Sequence, residues 1–207
     1  MLTKKEIKKR IKEIKDYALE NDVPIVLDGG LEIILDEIKK INAKKILEVG
    51  CAIAYSSINM ALSSDDIIVH TIERNEKMYN KAIENVKRME LEDRIKIFYA
   101  DALELDDDLL FDDYDLIFVD AAKAQYIKFF EKYEKHLRIG GIIISDNLAF
   151  HGLAEKWREG DNSMSRDLRA LMRKVNKFID WLKANDKYET TFYNQGDGVA
   201  VSKKINL

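Results

Sequence analysis

The amino-acid sequence predicts an α/β fold, a doubly wound and mostly parallel sheet of seven strands that ends in an antiparallel hairpin. Between residues 44 and 147, continuous apolar strand-like runs alternate with amphipathic helical patterns, which marks a parallel sheet covered on both faces. The last two strand-like runs, YETTFYN and GVAVSKK, stand three residues apart around a GDG turn. So short a link joins only antiparallel neighbours, which places the hairpin at the sheet edge.

Thr3 followed by Glu6 has the spacing of a capping box and opens the first helix, with Ile7, Ile11, Ile14 and Ala18 on one stripe. After a loop around Val23 and Pro24, a second helix is predicted from Asp28 to Ile41. Strands follow at 44–50, 67–73, 94–101, 114–120 and 141–147, with helical patterns near 55–63, 75–90 and 123–137 between them. A polar loop over 148–164 leads to a long helix from about Ser165 to Asn185 and then to the hairpin. No repeat or composition break marks a second domain. Residues 1–207 are therefore expected to form one domain, with 1–41 as a helical appendage.

The composition, with 46% apolar residues, 35% charged residues and one proline, is that of a globular chain and excludes collagen-like and wholly disordered readings. No apolar run approaches the roughly 20 residues that a bilayer requires. The basic N-terminus MLTKKEIKKRIKEIKDY never develops the unbroken apolar stretch of a signal peptide. A cytoplasmic chain is expected. One cysteine, Cys51, excludes an internal disulfide and a thiolate metal cage, and after the motif glycine it reads as a small packing residue. The net charge of -4 opposes nonspecific coating of nucleic acid, although a local basic patch remains open. The first 15 residues carry seven Lys or Arg, and Glu104 to Asp115 carry seven Asp or Glu, which read as a solvated helix face and a surface loop.

Ligands of open parallel sheets bind beyond the carboxyl ends of the strands, so polar residues that end apolar strands are the candidates for chemistry. They are Glu48 and Gly50, Glu73, Asp101, Asp120, and Asp146 with Asn147, one group for each parallel strand. Glu73 lies 23 positions after Gly50, close to the offset of roughly 20 at which an acid meets a ribose in dinucleotide folds. An adenosine-containing cofactor is implied. A dinucleotide fingerprint would need glycines where this chain has Ala52 and Tyr55, so close approach of a pyrophosphate is disfavoured. S-adenosylmethionine, which carries no phosphate, makes no such demand. Asp120, Asp146 and Asn147 offer three hard oxygen donors suited to Mg2+ or another divalent cation, the alternative being a simple turn at Asp146-Asn147. Lys123 would lie in the same mouth as a general base, or else as an exposed strand-capping lysine. His70, His136 and His151 show no metal spacing and read as structural or surface residues.

The segments LEVGCAIAYSS, TIERN, YADALE, DLIFVDAAKAQY, IIISDN and GDGVAVSKK together resemble the cation-dependent O-methyltransferases, the family of catechol and caffeoyl-CoA O-methyltransferases. The resemblance runs from about Val23 to Lys204. It is nearest to the bacterial branch that methylates 5-hydroxyuridine at the tRNA wobble position, on the strength of DAAKAQY, the arginine-rich helix and the chain ending. It implies a class I, Rossmann-like S-adenosylmethionine-dependent methyltransferase. By position, Glu73 is implied to hold the cofactor ribose, Ser56 and the Gly50 backbone its methionine end, Asp101 and Ala102 its adenine, and Val26 to cover it. Asp120, which also borders the cofactor, would share the metal with Asp146 and Asn147 and act in catalysis with Lys123. Ala54 stands where the family usually has a second glycine, which is expected to set a methyl group near the cofactor.

Methyl transfer from a sulfonium needs an oxygen placed in line and deprotonated, and a divalent ion binding two adjacent acceptor oxygens would serve both catechols and 5-hydroxyuridine. The long helix discriminates between them. At about 100° per residue, Arg166, Arg169, Arg173 and Lys177 share one face, while Leu168, Leu171, Met172, Val175, Ile179 and Leu182 lie opposite. The basic row is read as a grip for the phosphates of a tRNA anticodon loop, with a small catechol-like acceptor as the alternative. A homodimer is expected. A binding module without catalysis and a nicotinamide oxidoreductase are the readings from other classes, opposed by the Asp120, Lys123, Asp146, Asn147 set and by the glycine pattern.

Overall fold

Thr3 closes the expected capping box: its hydroxyl accepts from the Glu6 N–H at 3.3 Å, and the Glu6 carboxylate accepts from the Thr3 N–H at 2.8 Å. The resulting helix, α1 (Lys4–Glu20), buries Ile14 and Ala18 and half-buries Ile7 and Ile11, the stripe read from the sequence. The structure is a computed structural model that describes residues 2–149, 156 and 164–206. Most of the polar loop expected over 148–164, with His151, lies outside the described residues.

In chain order the remaining elements are α2 (Asp28–Ile41), β1 (Lys45–Val49), α3 (Tyr55–Leu62), β2 (Ile68–Glu73), α4 (Glu76–Arg88), β3 (Ile95–Tyr99), β4 (Tyr114–Val119), α5 (Tyr126–Tyr133), β5 (Leu137–Ser145), α6 (Arg166–Ala184), β6 (Tyr188–Tyr193) and β7 (Val199–Lys204). The sheet has seven strands in the order β3-β2-β1-β4-β5-β7-β6. β1 to β5 pair in parallel and β7 is antiparallel to both neighbours, the doubly wound sheet and edge hairpin that the sequence predicted.

Because strand side chains alternate, β1 sends Ile46 into one core and Leu47 and Val49 into the other. The first core includes side chains of α1 to α4, such as Ile14, Ile34, Ile58 and Ala82, and the second those of α5 and α6, such as Phe130, Val175 and Phe178. Burial on both faces explains why the strands read as continuous apolar runs. The N-terminal helices are thus built into the same core.

Three expectations are corrected. β5 begins at Leu137, within the span read as helix, and reaches Ser145. Gly140, at φ of 77°, and Gly141, where a Cβ would lie 2.9 Å from the Asp115 carbonyl, break its register against β4 between Tyr114 and Leu116, so RIGG looked like a turn. The acidic run is more than a solvated loop: Asp115 accepts the N–H groups of Lys44 and Lys45 at 2.7 and 2.9 Å and Arg138 Nε at 2.6 Å, which pins the start of β1 to β4. Glu48 does not reach the rim. It is fully buried and accepts from the hydroxyls of Ser56, Ser57 and Thr71, the last at 2.5 Å. Among the described residues, no helix is long and apolar enough to cross a membrane.

Candidate active site

β1 pairs with β2 on one side and β4 on the other, so the connections leave it in opposite directions and open a crevice at its carboxyl end. The strand ends are stepped across this crevice. Gly50 N–H donates to the Ile72 carbonyl at 3.1 Å, Asp120 N–H to Val49 at 3.0 Å, and Asp146 N–H to Val119 at 3.2 Å. Beyond them lies a cleft of about 440 Å³, within the range of small-molecule sites. Its wall contains Val26, Gly50, Ser56, Glu73, Asp101, Ala102 and Asp120, which are all the positions expected to hold a cofactor, together with Lys123 and Asn147.

Glu73 ends β2 half-buried, and its carboxylate is fixed before any ligand arrives: Oε2 accepts the Ala52 N–H at 2.8 Å and Oε1 the Asn75 N–H at 2.7 Å. Each oxygen keeps a lone pair for a hydroxyl in the cleft. Asp101 Oδ1 caps the turn after β3 by accepting from the Leu103 N–H at 2.9 Å, and its Oδ2 faces Arg74 at 3.4 Å. The Ser56 hydroxyl is turned toward Glu48, so it borders the cleft from a locked position. Burial pushes the Glu48 carboxyl up to about 7, against the lowering effect of its three hydroxyl donors. Burial also pushes the Cys51 thiol up, far from the thiolate a nucleophile needs, which agrees with a packing role.

At the other end of the cleft, Asp120, Asp146 and Asn147 come together from the ends of β4 and β5. Asn147 Nδ2 lies 3.3 Å from Asp120 Oδ1. Asp146 is 2% exposed and stands behind the wall, its carbonyl held by the Tyr126 hydroxyl at 2.8 Å and its Oδ1 without a hydrogen-bond partner. Burial, and then the charge of Asp120, push its carboxyl up to about 7, and burial raises Asp120 as well. Two mutually repelling carboxylates, Asp146 buried with an orphaned oxygen and Asp120 half-buried at the cleft wall, fit a bound divalent cation, which would neutralise both. Among the described residues no three carboxylate, imidazole or thiolate groups form such a cage, so the third donor would be the Asn147 amide. Lys123, after β4, faces both carboxylates and lowers the pKa of each. Asn147 holds φ of 65°, a conformation asparagine tolerates better than most residues, and strain of this kind gathers at working sites.

Some of the expected residues lie elsewhere. Ala54 is fully buried at φ of 65° as the N-cap of α3 and is absent from the cleft wall, so its methyl group strains the backbone and does not approach the ligand space. Arg166 and Arg173 are exposed on α6, whereas Arg169 is half-buried and already engaged. None of the three lines the cleft. His70 and His136 are buried against Tyr114 and the Phe111 carbonyl. Tyr55, Met78 and Phe129 line the cleft without having been singled out, because apolar residues on amphipathic helices carry no signal separating a cleft wall from a core.

Comparison with known proteins decides the family. The profile of the O-methyltransferase family matches residues 9–205. The chain belongs to the O-methyltransferase family. Among its relatives, a flavonoid 3',5'-methyltransferase of Vitis vinifera is 31% identical over 202 residues, covering 94% of this chain and 83% of that protein. A caffeoyl-CoA O-methyltransferase of Populus kitakamiensis is 29% identical over 198 residues, covering 92% and 82%. Among solved structures, a Staphylococcus aureus chain provisionally assigned as a caffeoyl-CoA O-methyltransferase superposes with a TM-score of 0.87 at 41% identity, covering 94% of this chain and 91% of that one. A Bacillus cereus O-methyltransferase in complex with S-adenosylhomocysteine gives 0.79 at 25% identity, covering 95% and 91%. The cleft at the β1–β4 switch point is therefore the candidate active site of an O-methyltransferase.

Proposed function

We propose that this O-methyltransferase uses S-adenosylmethionine and a divalent cation, Mg2+ for preference, to methylate the 5-hydroxyl of 5-hydroxyuridine at tRNA wobble position 34. The observation that carries the reading is one cleft with two differently equipped ends: a backbone-anchored carboxylate at β2, and a half-buried and a buried carboxylate with an amide and a lysine at β4 and β5. In this reading residues 1–207 act as one domain in the cytoplasm, and the segment before α2 contributes Val26 to the cleft wall.

Glu73 would take the ribose hydroxyls, Asp101 and Ala102 would border the adenine, and Gly50 and Ser56 the methionine end, with Val26 covering the cofactor. When bound, S-adenosylmethionine supplies a methyl group on a sulfonium, whose S–C bond breaks as the acceptor's O–C bond forms. Asp120, Asp146 and Asn147 would hold the cation, which supplies Lewis-acid charge to two adjacent oxygens of the acceptor. Lys123, in its free-amine form, would accept the proton that leaves the acceptor hydroxyl. The protein's own work is positioning and deprotonation.

The tRNA acceptor is supported by Arg166, Arg169 and Arg173 on α6, the helix packed against the turn that carries Lys123. The second reading, a small catechol-like or polyphenol acceptor, is favoured by the activities for which the plant relatives are named. Both offer two adjacent oxygens. Mass spectrometry of nucleosides from tRNA carrying 5-hydroxyuridine, incubated with protein, S-adenosylmethionine and Mg2+, tests the choice. Conversion to 5-methoxyuridine that stops on chelation supports the reading. Methylation of catechols without methylation of tRNA hands the site to the second reading.

A further inference from the structure

A second cavity, of about 280 Å³, opens beside the cation end of the cleft, between α6 and the turn that leads into α5. Four of its lining residues are lysines: Lys123, Lys128, Lys174 and Lys177, around a floor that includes Phe178. Among the described residues no carboxylate lines it. Lys128, Lys174 and Lys177 are exposed, and none of them has an ion-pair partner among the described residues. Lys12, Lys44, Lys45 and Lys135, by contrast, are each matched to an acid. Ammonium groups gathered around one concavity that no carboxylate lines among the described residues repel one another and lower stability, so the arrangement suits a bound anion.

Lys123 lines both cavities, so the basic pocket begins where the acceptor would give up its proton. We infer that this pocket is a phosphate subsite, in which Lys128, Lys174 and Lys177 seat a phosphate group of the acceptor while its reacting oxygen faces Lys123. The inference rests on the methyl-transfer reading of the main cleft. Ammonium groups suit it: three rotatable donors on flexible stems serve a phosphate as point charges, without the fixed fork an arginine imposes. Lys174 and Lys177 lie one turn apart on α6, and Lys128 projects from α5, so phosphate would be held from two elements. The arginines of α6 lie outside this pocket, which shares only Lys177 with the basic row read in the sequence.

The test compares the wild type with Lys128→Gln/Lys174→Gln/Lys177→Gln for binding of two probes across a salt series: a labelled single-stranded RNA heptamer and adenosine 3',5'-bisphosphate. Three phosphate contacts on a single strand release about two counterions, so the slope of log K against log salt should fall by about 2 and RNA affinity at low salt by about tenfold or more. If only the bisphosphate loses affinity, the phosphate belongs to a small nucleotide-linked acceptor. The subsite then stands, and the tRNA reading falls. If neither probe responds, the subsite is overturned, while nucleoside mass spectrometry on the wild type continues to judge the tRNA reading separately. Binding of S-adenosylhomocysteine by the variant shows that the fold is intact. Should it fail, Lys174→Gln and Lys177→Gln singly carry the same test, each expected to lower the RNA slope by about 0.7.

Discussion

Gly50 sits at φ of 102° with its Cα against the end of β4, where an added Cβ would fall inside the contact distance of the Asp120 carbonyl oxygen. Neither backbone can yield without moving the other, and both border the cleft. Gly50→Ala should therefore destabilise the protein by about 2 kcal/mol or more and weaken S-adenosylhomocysteine binding at least about tenfold. Normal affinity in calorimetry would show that the strand ends are looser than the geometry says. Asp146 presents the opposite case, a residue that weakens the fold for the sake of its chemistry. In metal-free protein it is a buried carboxylate beside Asp120 with one oxygen unpartnered, so Asp146→Asn should raise metal-free stability by about 1 kcal/mol and abolish methyl transfer. A variant that unfolds more easily, or that still turns over in chelator, would remove it from the cation set.

At the scale of elements, the row on α6 can be tested by replacing Arg166, Arg169 and Arg173 together with Gln. Arg166 and Arg173 are exposed, and Arg169 is half-buried and engaged, so the salt slope of tRNA methylation should flatten by about 1.4, the worth of two single-strand contacts, and not by the roughly 2 of three. A slope unchanged from wild type would reduce the row to a solvated face. Capping and periodicity carried most of this element map. Thr3 and Glu6, Ser165 at the N-cap of α6, and the strands buried on both faces were legible because each follows from local chemistry. β5 was misread at its start because RIGG has the composition of a turn, and only the neighbouring β4 shows that the chain there is already paired. The candidate site was legible where polar residues end apolar strands, as at Glu73, Asp120 and Asn147. It was illegible where side-chain direction decides. Glu48 ends the same motif as Gly50 yet points into the core, and Lys174 acquires meaning only from the turn packed against it.

Over the whole molecule, two buried ionisable groups on the same sheet set stability against pH with opposite signs. His70 is stacked on Phe111, and its Nδ1 lies 2.7 Å from the Tyr114 hydroxyl. That hydroxyl also accepts the Phe111 N–H at 3.2 Å, which leaves its own proton for the imidazole and favours the neutral ring. Burial, and then the charge of Lys96, lower the His70 pKa to about 4. Its contribution is complete above the unfolded value of about 6.5 and is lost as pH falls toward 4. Glu48 runs the other way. With a folded pKa of about 7, its contribution is complete below the unfolded value of about 4.5 and is lost as pH rises through 7. Between about pH 4.5 and 6.5 the two slopes oppose each other, so the wild type hides both, and each is exposed by removing the other. Glu48→Gln should leave a midpoint that climbs relative to wild type as pH rises from 4 to 7. His70→Phe/Tyr114→Phe, which removes the imidazole and its hydroxyl partner together, should leave one that falls. At about 2–4 °C per kcal/mol for a chain of this size, the two curves, each referred to wild type, should diverge by several degrees in thermal melts. Titrations shared by all three proteins cancel in those differences because distant sites add. Parallel curves would mean that neither group carries its proton differently in the fold, and that the sheet interior is more hydrated around Glu48 and His70 than their burial indicates.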